Sequence, residues 1–242
     1  MKIISLNKSI TFILFQLLFL INTFAQQNKL DLNCFHFPSG NEKWQFKNIL
    51  SLSLSQLPED IIEEVNSLIY SPLISYDAKI GIPYNFSING SITTNFITNH
   101  FSFGVNWNYQ KNRFAISPGY NIAFWFGILE DFDFSSRNVG WLHYPNLTLG
   151  YAFEKATVSL RSEIILNTFY TQFVDNIEVT TERNTISGYS LALYVEQPLW
   201  KNHFMSIGFK ANFSRFYYSA WLAYTNSVQF RFIPEVQIGL IL

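Results

Sequence analysis

Polar and apolar residues alternate with a period of two along much of this chain. In the stretch 100–110, every odd-numbered position is large and apolar, whereas every even-numbered position is His, Ser, Gly, Asn or Gln. A β-strand directs successive side chains to opposite faces of a sheet, so this pattern predicts a strand with one apolar and one polar face. No helical period fits the same stretch.

The last segment repeats the pattern, with apolar residues at every even position from 228 to 242. Two of its odd positions, Ile233 and Ile241, are also apolar and break the rule. Alternation read along the whole chain predicts ten strands. They lie at about 44–55, 73–82, 85–95, 100–110, 112–126, 141–153, 156–174, 186–199, 203–219 and 227–242.

Short and long connections between the predicted strands also alternate. Four tight turns are expected at Pro83-Tyr84, Lys111-Asn112, Glu154-Lys155 and Lys201-Asn202, while longer connections are expected at 56–72, 127–140 and 175–185. Short inner turns and longer outer loops are typical of outer-membrane barrels. The first long connection predicts one short amphipathic helix near 58–70. If the first strand is wrong, 44–82 becomes a prelude and the barrel has eight strands.

Composition indicates what surrounds the predicted sheet. Aromatic residues make up 18% of the chain and charged residues 14%, where about a quarter is usual for charged residues. A soluble sandwich or lipocalin-like barrel would carry many charges on its polar face, yet here that face is rich in Ser, Asn, Thr and Gly. We therefore predict an all-β fold, an antiparallel up-and-down transmembrane β-barrel whose apolar face meets lipid.

Tryptophan and proline positions add two expectations about the wall. All six Trp residues, at 44, 107, 125, 141, 200 and 221, lie near predicted strand ends, which predicts two aromatic girdles. Four prolines, at 118, 145, 198 and 234, fall inside predicted strands. Proline has no backbone N–H to donate to a neighbouring strand, so we expect bulges or strand ends at these positions.

The N-terminus predicts export. Lys2 and Lys8 precede an apolar run from Ile10 to Ile21, and Thr23-Phe24-Ala25 supplies small residues for cleavage before Gln26. We predict a signal peptide at 1–25, a periplasmic N-terminal segment at 26–43 and the barrel at 44–242. Cys34 is the only cysteine, so the chain forms no internal disulfide.

Alternation directs nine charged side chains into the predicted lumen, five of them basic and four acidic. They are Asp77, Lys79, Arg113, Arg161, Glu163, Glu196, Lys210, Arg231 and Glu235. Near-balanced charges in an enclosed space should pair. We expect a structural network that fills the lumen, and the alternative is a narrow, gated polar path.

Two groups of residues contain side chains that hydrolases use. The His100-Phe101-Ser102 spacing resembles lipid A deacylases, but both polar side chains point to the lumen, away from acyl chains. Glu130, Asp131, Asp133 and His143 resemble the acidic and His residues of omptin proteases, without matching spacing. The sequence has no zinc cluster, phosphate loop or dinucleotide fingerprint, so we expect no cofactor and no enzyme activity. A net charge of -1 argues against nucleic-acid binding.

In organisation, residues 44–242 resemble the small outer-membrane barrels of the OmpA-transmembrane, OmpX and OmpW type. The terminal run Gly239–Leu242 is similar to the C-terminal strand signal of such barrels. The resemblance implies a place in the outer membrane of a Gram-negative bacterium. The expected partners are outer-membrane lipid and lipopolysaccharide and, during biogenesis, the barrel assembly machinery. An accessory barrel would also bind a protein partner through its external loops. Three functions stay open: a structural or accessory barrel, a narrow carrier or channel for a small or lipophilic solute, and a membrane-embedded hydrolase.

Overall fold

The computed structural model describes residues 34–40, 43–57, 69–131, 134–175, 177–200, 203–215, 217–223 and 229–242. Most of these residues form one antiparallel sheet that closes into a barrel. Its strands are β1 (Phe46–Leu57), β2 (Ile69–Ile82), β3 (Phe86–Thr94), β4 (Thr98–Trp107), β5 (Tyr109–Lys111), β6 (Phe114–Asp131), β7 (Phe134–Ala152), β8 (Thr157–Val174), β9 (Ile177–Trp200), β10 (His203–Ser214) and β11 (Arg231–Ile241). The predicted signal peptide and the turn at 201–202 lie outside the described residues.

The barrel wall has ten strands, as the alternation predicts. The segments β4 and β5 both pair with β6 and are two pieces of one wall strand. Each wall strand pairs with the next one in sequence, and β1 pairs with β11 to close the ring. The first strand therefore belongs to the wall, and the eight-strand alternative is wrong.

The two faces of the wall differ as the sequence predicts. Along β1, Leu52 is 62% exposed, whereas its neighbour Ser53 is 8% exposed. Register places Leu52 beside Ile74 of β2 and Ile238 of β11, which are also exposed. The apolar face is therefore the outside of the barrel and the polar face lines its lumen.

The outer end of the barrel differs from the prediction. We call the end with the turns at 83–85 and 112–113 the inner end, and the opposite end the outer end. The long connections expected at 127–140 and 175–185 are wrong. Strand β6 continues to Asp131 and β7 begins at Phe134, while β8 continues to Val174 and β9 begins at Ile177. Polar residues can stay in a ladder beyond the lipid, since water accepts both faces of a sheet there.

Helical structure is scarce in the described part of the chain. The helix expected near 58–70 falls mostly on residues 58–68, outside the described residues, and Ile69 and Tyr70 belong to β2. A 3₁₀ helix covers Tyr218–Ala223, where the sequence predicts the end of a strand. The described residues include no helix of the length and apolar character that crossing a membrane requires.

Each of the four prolines that the sequence places inside strands coincides with an irregularity in one of its ladders, because proline has no N–H to donate. The irregularities are the break between β4 and β5 opposite Pro118, the interrupted β7–β8 pairing at Pro145, the β9–β10 register shift beside Pro198 and the end of the β1–β11 pairing beside Pro234. A fifth strand proline, Pro72 of β2, pairs with Leu54 of β1 and lies before the first β2–β3 pair. A closed barrel thus accommodates proline where pairing is already locally absent.

The tryptophan girdles are only partly as predicted. Trp44, Trp107, Trp141 and Trp200 are exposed on the outside of the barrel, whereas Trp125 and Trp221 are 0% and 1% exposed. The expectation that these last two residues belong to a girdle is wrong. Trp125 has the strand parity of the buried Ala123, so it points into the lumen.

Candidate functional site in the lumen

An apolar layer fills the lumen near the outer end. We call it the outer layer, and its buried members are Leu57, Ala123, Trp125, Leu142, Ile165, Tyr170, Tyr217, Trp221 and Ile233. The indole Nε1 of Trp221 donates a hydrogen bond to Oγ1 of Thr98 at 2.9 Å, which ties the 3₁₀ helix to β4.

A second apolar layer fills the inner end, and part of it comes from residues before the barrel. This inner layer contains Cys34, Phe37, Ile49, Ala115, Ala152, Phe204 and Ile241. Residues 34–40, which we call the N-terminal segment, lie inside the barrel mouth, where Phe37 is 0% exposed. Ile233 and Ile241, the two exceptions to alternation in the last strand, belong to the outer and inner layers respectively.

A polar chamber of about 200 Å³ lies between the two layers. Phe35, His36 and Pro38 of the N-terminal segment line it at one end, and Leu142 and Tyr217 of the outer layer at the other. The remaining lining is dominated by Ser, Thr, Asn and charged side chains from nearly every strand. A barrel of this size has room for its own side chains or one small ligand.

Neutral polar side chains pair across the strands that line the chamber. Oγ of Ser91 lies 2.6 Å from Oγ of Ser102. Asn146 links two neighbouring strands, accepting from Nδ2 of Asn106 at 3.2 Å and donating to Oδ1 of Asn121 at 3.3 Å. These contacts satisfy polar groups that the lumen encloses.

The charged groups of the chamber are partly paired. Arg161 donates to Oε1 of Glu163 from Nε and Nη2, both at 2.7 Å, and Nζ of Lys210 lies 4.0 Å from Oε2 of the same carboxylate. Two cations therefore share one carboxylate inside the wall. This is the pairing expected of enclosed ions of opposite sign.

Two charged groups of β2 face the chamber without a direct partner. Asp77 and Lys79 line the cavity, and no hydrogen bond or ion pair joins either of them to another described residue. Nδ1 of His100, Oδ1 of Asn89 and Oδ1 of Asn212 are buried nearby without a hydrogen-bond partner. Buried polar atoms of this kind are satisfied by water or by a bound polar solute.

Glu196 binds the N-terminal segment, and no ion pair joins it to a cationic side chain of the described residues. Its carboxylate accepts the backbone N–H groups of Phe35, His36 and Phe37 at 2.8, 2.9 and 2.9 Å. Lys47 donates to the carbonyl oxygen of Cys34 at 3.1 Å. Lys47 is absent from the predicted lumen set, although it shares the inward face of β1 with Ser51 and Ser53, and this parity could have identified it.

The remaining predicted lumen charges lie elsewhere or bind neutral groups. Arg113 is outside the chamber, at the inner turn, where its exposed guanidinium lies 3.8 Å from Glu154. Arg231 is at the outer end of β11, beyond the chamber lining. Glu235 accepts a hydrogen bond from the hydroxyl of Tyr217 at 2.9 Å. Burial and the Glu235 charge raise the pKa of Tyr217 well above its usual value, so the phenol stays a donor.

Where the structure describes their side chains, the hydrolase candidates do not bring a nucleophile together with a base. Nε2 of His100 lies 3.1 Å from the hydroxyl of Tyr144, and the hydroxyl of Ser102 pairs with Ser91. His143 is on the outside, with Nδ1 2.8 Å from the hydroxyl of Tyr120. Asp133 lies outside the described residues, and the side chain of Asp131 is not described. Within the described ranges, no His, Cys, Asp and Glu side chains gather into a metal-binding group.

No protein-family model matches the chain, and no curated protein matches it. Among solved structures, Neisserial surface protein A is 12% identical, with 81% of this chain and 96% of that chain covered and a TM-score of 0.37. KdgM porin is 10% identical, with 80% and 97% covered and a TM-score of 0.39. Outer membrane phospholipase A from Escherichia coli is 9% identical, with 92% and 96% covered and a TM-score of 0.34. The structures similar to this chain are outer-membrane β-barrels.

Proposed function

We propose that this chain is an integral outer-membrane β-barrel that acts as a closed structural or accessory scaffold through its outer surface, without enzyme activity. The observation that carries the proposal is the filling of the lumen, with an apolar layer on each side of the polar chamber. A conduit needs a continuous polar path, and the buried apolar side chains of the two layers favour a closed lumen over such a path.

The outer surface of the wall supports a membrane location. Its exposed residues include Leu50, Leu52 and Leu54 on β1 and Val236 and Ile238 on β11. Soluble monomers rarely expose a contiguous apolar surface larger than a few hundred Å². A belt of outward-facing apolar residues around a closed antiparallel wall is what a lipid bilayer requires.

The tall side of the wall is the surface that we propose meets a partner. The strands β6 to β9 have 18, 19, 18 and 24 residues, whereas β10 and β11 have 12 and 11. About 9–11 residues suffice for a strand to cross the bilayer, so the longer strands project past the lipid. At their outer end Ile177 and Val179 are 70% and 58% exposed.

A narrow carrier for one small polar solute is the second candidate. The observation that favours it is the pair Asp77 and Lys79, which face the chamber with no direct partner. A zwitterionic solute could satisfy both charges. The carrier requires one of the two layers to open, whereas the scaffold does not.

Membrane fractionation and photocrosslinking test the scaffold proposal. The full chain should fractionate with outer membranes and shift its gel mobility only after boiling. A photocrosslinker in place of Ile177 should capture a discrete protein, whereas the same group in place of Leu52, which is 62% exposed on the wall, should capture lipid. Recovery in the soluble periplasmic fraction, or lipid adducts at both positions, would contradict the proposal.

A further inference from the structure

We propose that the N-terminal segment is a gate that opens the polar chamber to the inner side of the barrel, and that Glu196 is the latch that holds it closed. The inference goes beyond the closed scaffold, because it gives the chamber one route of access. It rests on the contacts between residues 34–40 and the wall.

The latch is a single carboxylate that binds three consecutive peptide groups. Glu196 is 1% exposed, and its two oxygens accept the N–H groups of Phe35, His36 and Phe37. The hydroxyl of Thr157 lies 3.4 Å from Oε2 on the same carboxylate. Hydrogen bonds to an ionised acceptor are about twice as strong as neutral ones. The Glu196 side chain therefore contributes much of the free energy that holds the segment against the wall.

Packing contacts position the rest of the segment. The ring of His36 stacks on Tyr194 with centroids 3.8 Å apart and planes 4° from parallel. Phe37 and Pro38 lie so close to Gly150 that a Cβ there would be 2.6 Å from Cδ of Pro38. These contacts fix where the segment docks, and the glycine is required for the fit.

The segment can leave without breaking the sheet. None of its residues is part of a β-ladder, and its connection to the wall strands runs through side chains, chiefly those of Glu196 and Lys47. Phe35, His36 and Pro38 line the chamber, so their departure would expose it from the inner side. The outer layer contains none of the segment's residues and would stay in place. Opening the gate therefore gives a one-sided pocket and no through-channel.

The opened pocket would take a small polar solute from the inner side. Its lining carries Lys79, Arg161 and Lys210 together with Asp77 and Glu163. A mixed set of charges in a small enclosed volume favours a solute that carries both signs over an apolar one.

The rate at which the single cysteine of the chain is labelled measures how often the gate opens. Cys34 is 1% exposed within the docked segment. In the full mature chain, folded in detergent micelles, we expect slow reaction of Cys34 with a maleimide, and reaction at least tenfold faster in Glu196→Ala. Glu235→Gln is the matched control, because this carboxylate contacts Tyr217 and not the segment; its labelling rate should equal that of the wild type.

Hydrogen exchange on the wild-type chain tests release without a mutation. The amides of Phe35, His36 and Phe37 should exchange together, and before the ladder amides of β1 and β8. Exchange of these three amides only together with the strands would make the segment a permanent part of the core and would overturn the gate. Equal Cys34 labelling in Glu196→Ala and wild type would overturn the latch. If Glu196→Ala loses the heat-dependent gel shift, Glu196→Gln takes its place in the labelling test. This variant keeps one acceptor oxygen, so its Cys34 should react faster than in the wild type, but by less than tenfold.

Discussion

The indole of Trp221 occupies the space where Gly127 would carry a side chain. A Cβ built on Gly127 would lie 2.1 Å from Nε1 of Trp221, and the same nitrogen donates to Thr98. The glycine of β6 thus allows the outer layer to press against the wall strand. The outer closure of the lumen depends on a residue with no side chain.

Gly127→Ala should therefore displace Trp221 from the outer layer. Overpacking of this kind costs about 1–3 kcal/mol, and we expect a loss of this size in the free energy of unfolding, measured by urea titration in lipid vesicles. Gly90→Ala is the control, because a Cβ there meets only the carbonyl oxygen of Ser102 at 3.7 Å, an ordinary contact. Equal stability of the two variants would contradict the tight fit of Trp221.

A charge on the outside of the wall should be costly only within the lipid belt. Leu52 is at the middle of β1, with Ile74 and Ile238 beside it. We expect Leu52→Arg to destabilise the barrel in vesicles by about 2–4 kcal/mol, the cost of a cation near the bilayer midplane. Ile177→Arg, at the projecting start of β9, should change the free energy of unfolding by less than about 1 kcal/mol. If Leu52→Arg leaves the free energy of unfolding unchanged, the outer surface of this wall does not face lipid.

Breaking the central ion pair should destabilise the scaffold more than replacing it. Arg161→Met leaves Glu163 with only the longer contact to Lys210. Both side chains are partly exposed to the chamber, so the loss should stay below the cost of about 3–5 kcal/mol for breaking a fully buried pair. The double variant Arg161→Met with Glu163→Leu removes both charges of the pair but also removes the carboxylate beside Lys210, so it should recover only part of that loss. Urea unfolding of the two variants measures the difference. If the double variant is the less stable of the two, the ions do more than fill the lumen.

Acid should favour release of the N-terminal segment through His36. Burial lowers the pKa of His36 from 6.5 to about 3, and the charges of Arg161 and Lys79 act in the same direction. The released imidazole binds a proton below pH 6.5, whereas the docked one stays neutral down to about 3. Docking is therefore strongest above this window and weakens by up to about tenfold per pH unit as the pH falls through it.

Cys34 labelling between pH 7 and 5, normalised at each pH to the unfolded chain, measures this effect. His36→Phe keeps an aromatic ring against Tyr194 and removes the proton site, while Glu196, Arg161 and Lys79 are unchanged. We expect normalised labelling to rise more steeply with acid in the wild type than in His36→Phe. Parallel profiles would show that the imidazole does not control docking.

The period-two pattern predicts the wall well because each lipid-facing position must be apolar. Its failures are local. Ile233 and Ile241 break the alternation at the two ends of the chamber, where the lumen itself is apolar. Trp125 follows the inward parity of β6, but a preference of tryptophan for membrane interfaces predicts the opposite face. The pattern of β1 correctly places Lys47 in the lumen. Arg113 lies outside it, because the preceding Asn112 has a φ of 55° and ends the alternation of the strand.

The N-terminal segment is not predictable from periodicity. Seven residues that belong to no strand repeat no pattern, and their docking depends on backbone N–H groups that any sequence possesses. The sequence does give a clue in Glu196, the residue that binds the segment. A carboxylate on the inward face of β9 needs hydrogen-bond donors from elsewhere in the chain. Glu196 lines the inner end of the lumen, where its carboxylate accepts three peptide N–H groups of the N-terminal segment.

Planar-bilayer recording of the purified full chain tests the closed scaffold most directly. With both apolar layers in place, insertion of the folded barrel should produce no steady conductance above the lipid baseline at either polarity. Stepwise, ion-selective conductance from the wild-type barrel would contradict the account, because a continuous polar path would then run through the layers of Phe37 and Trp221.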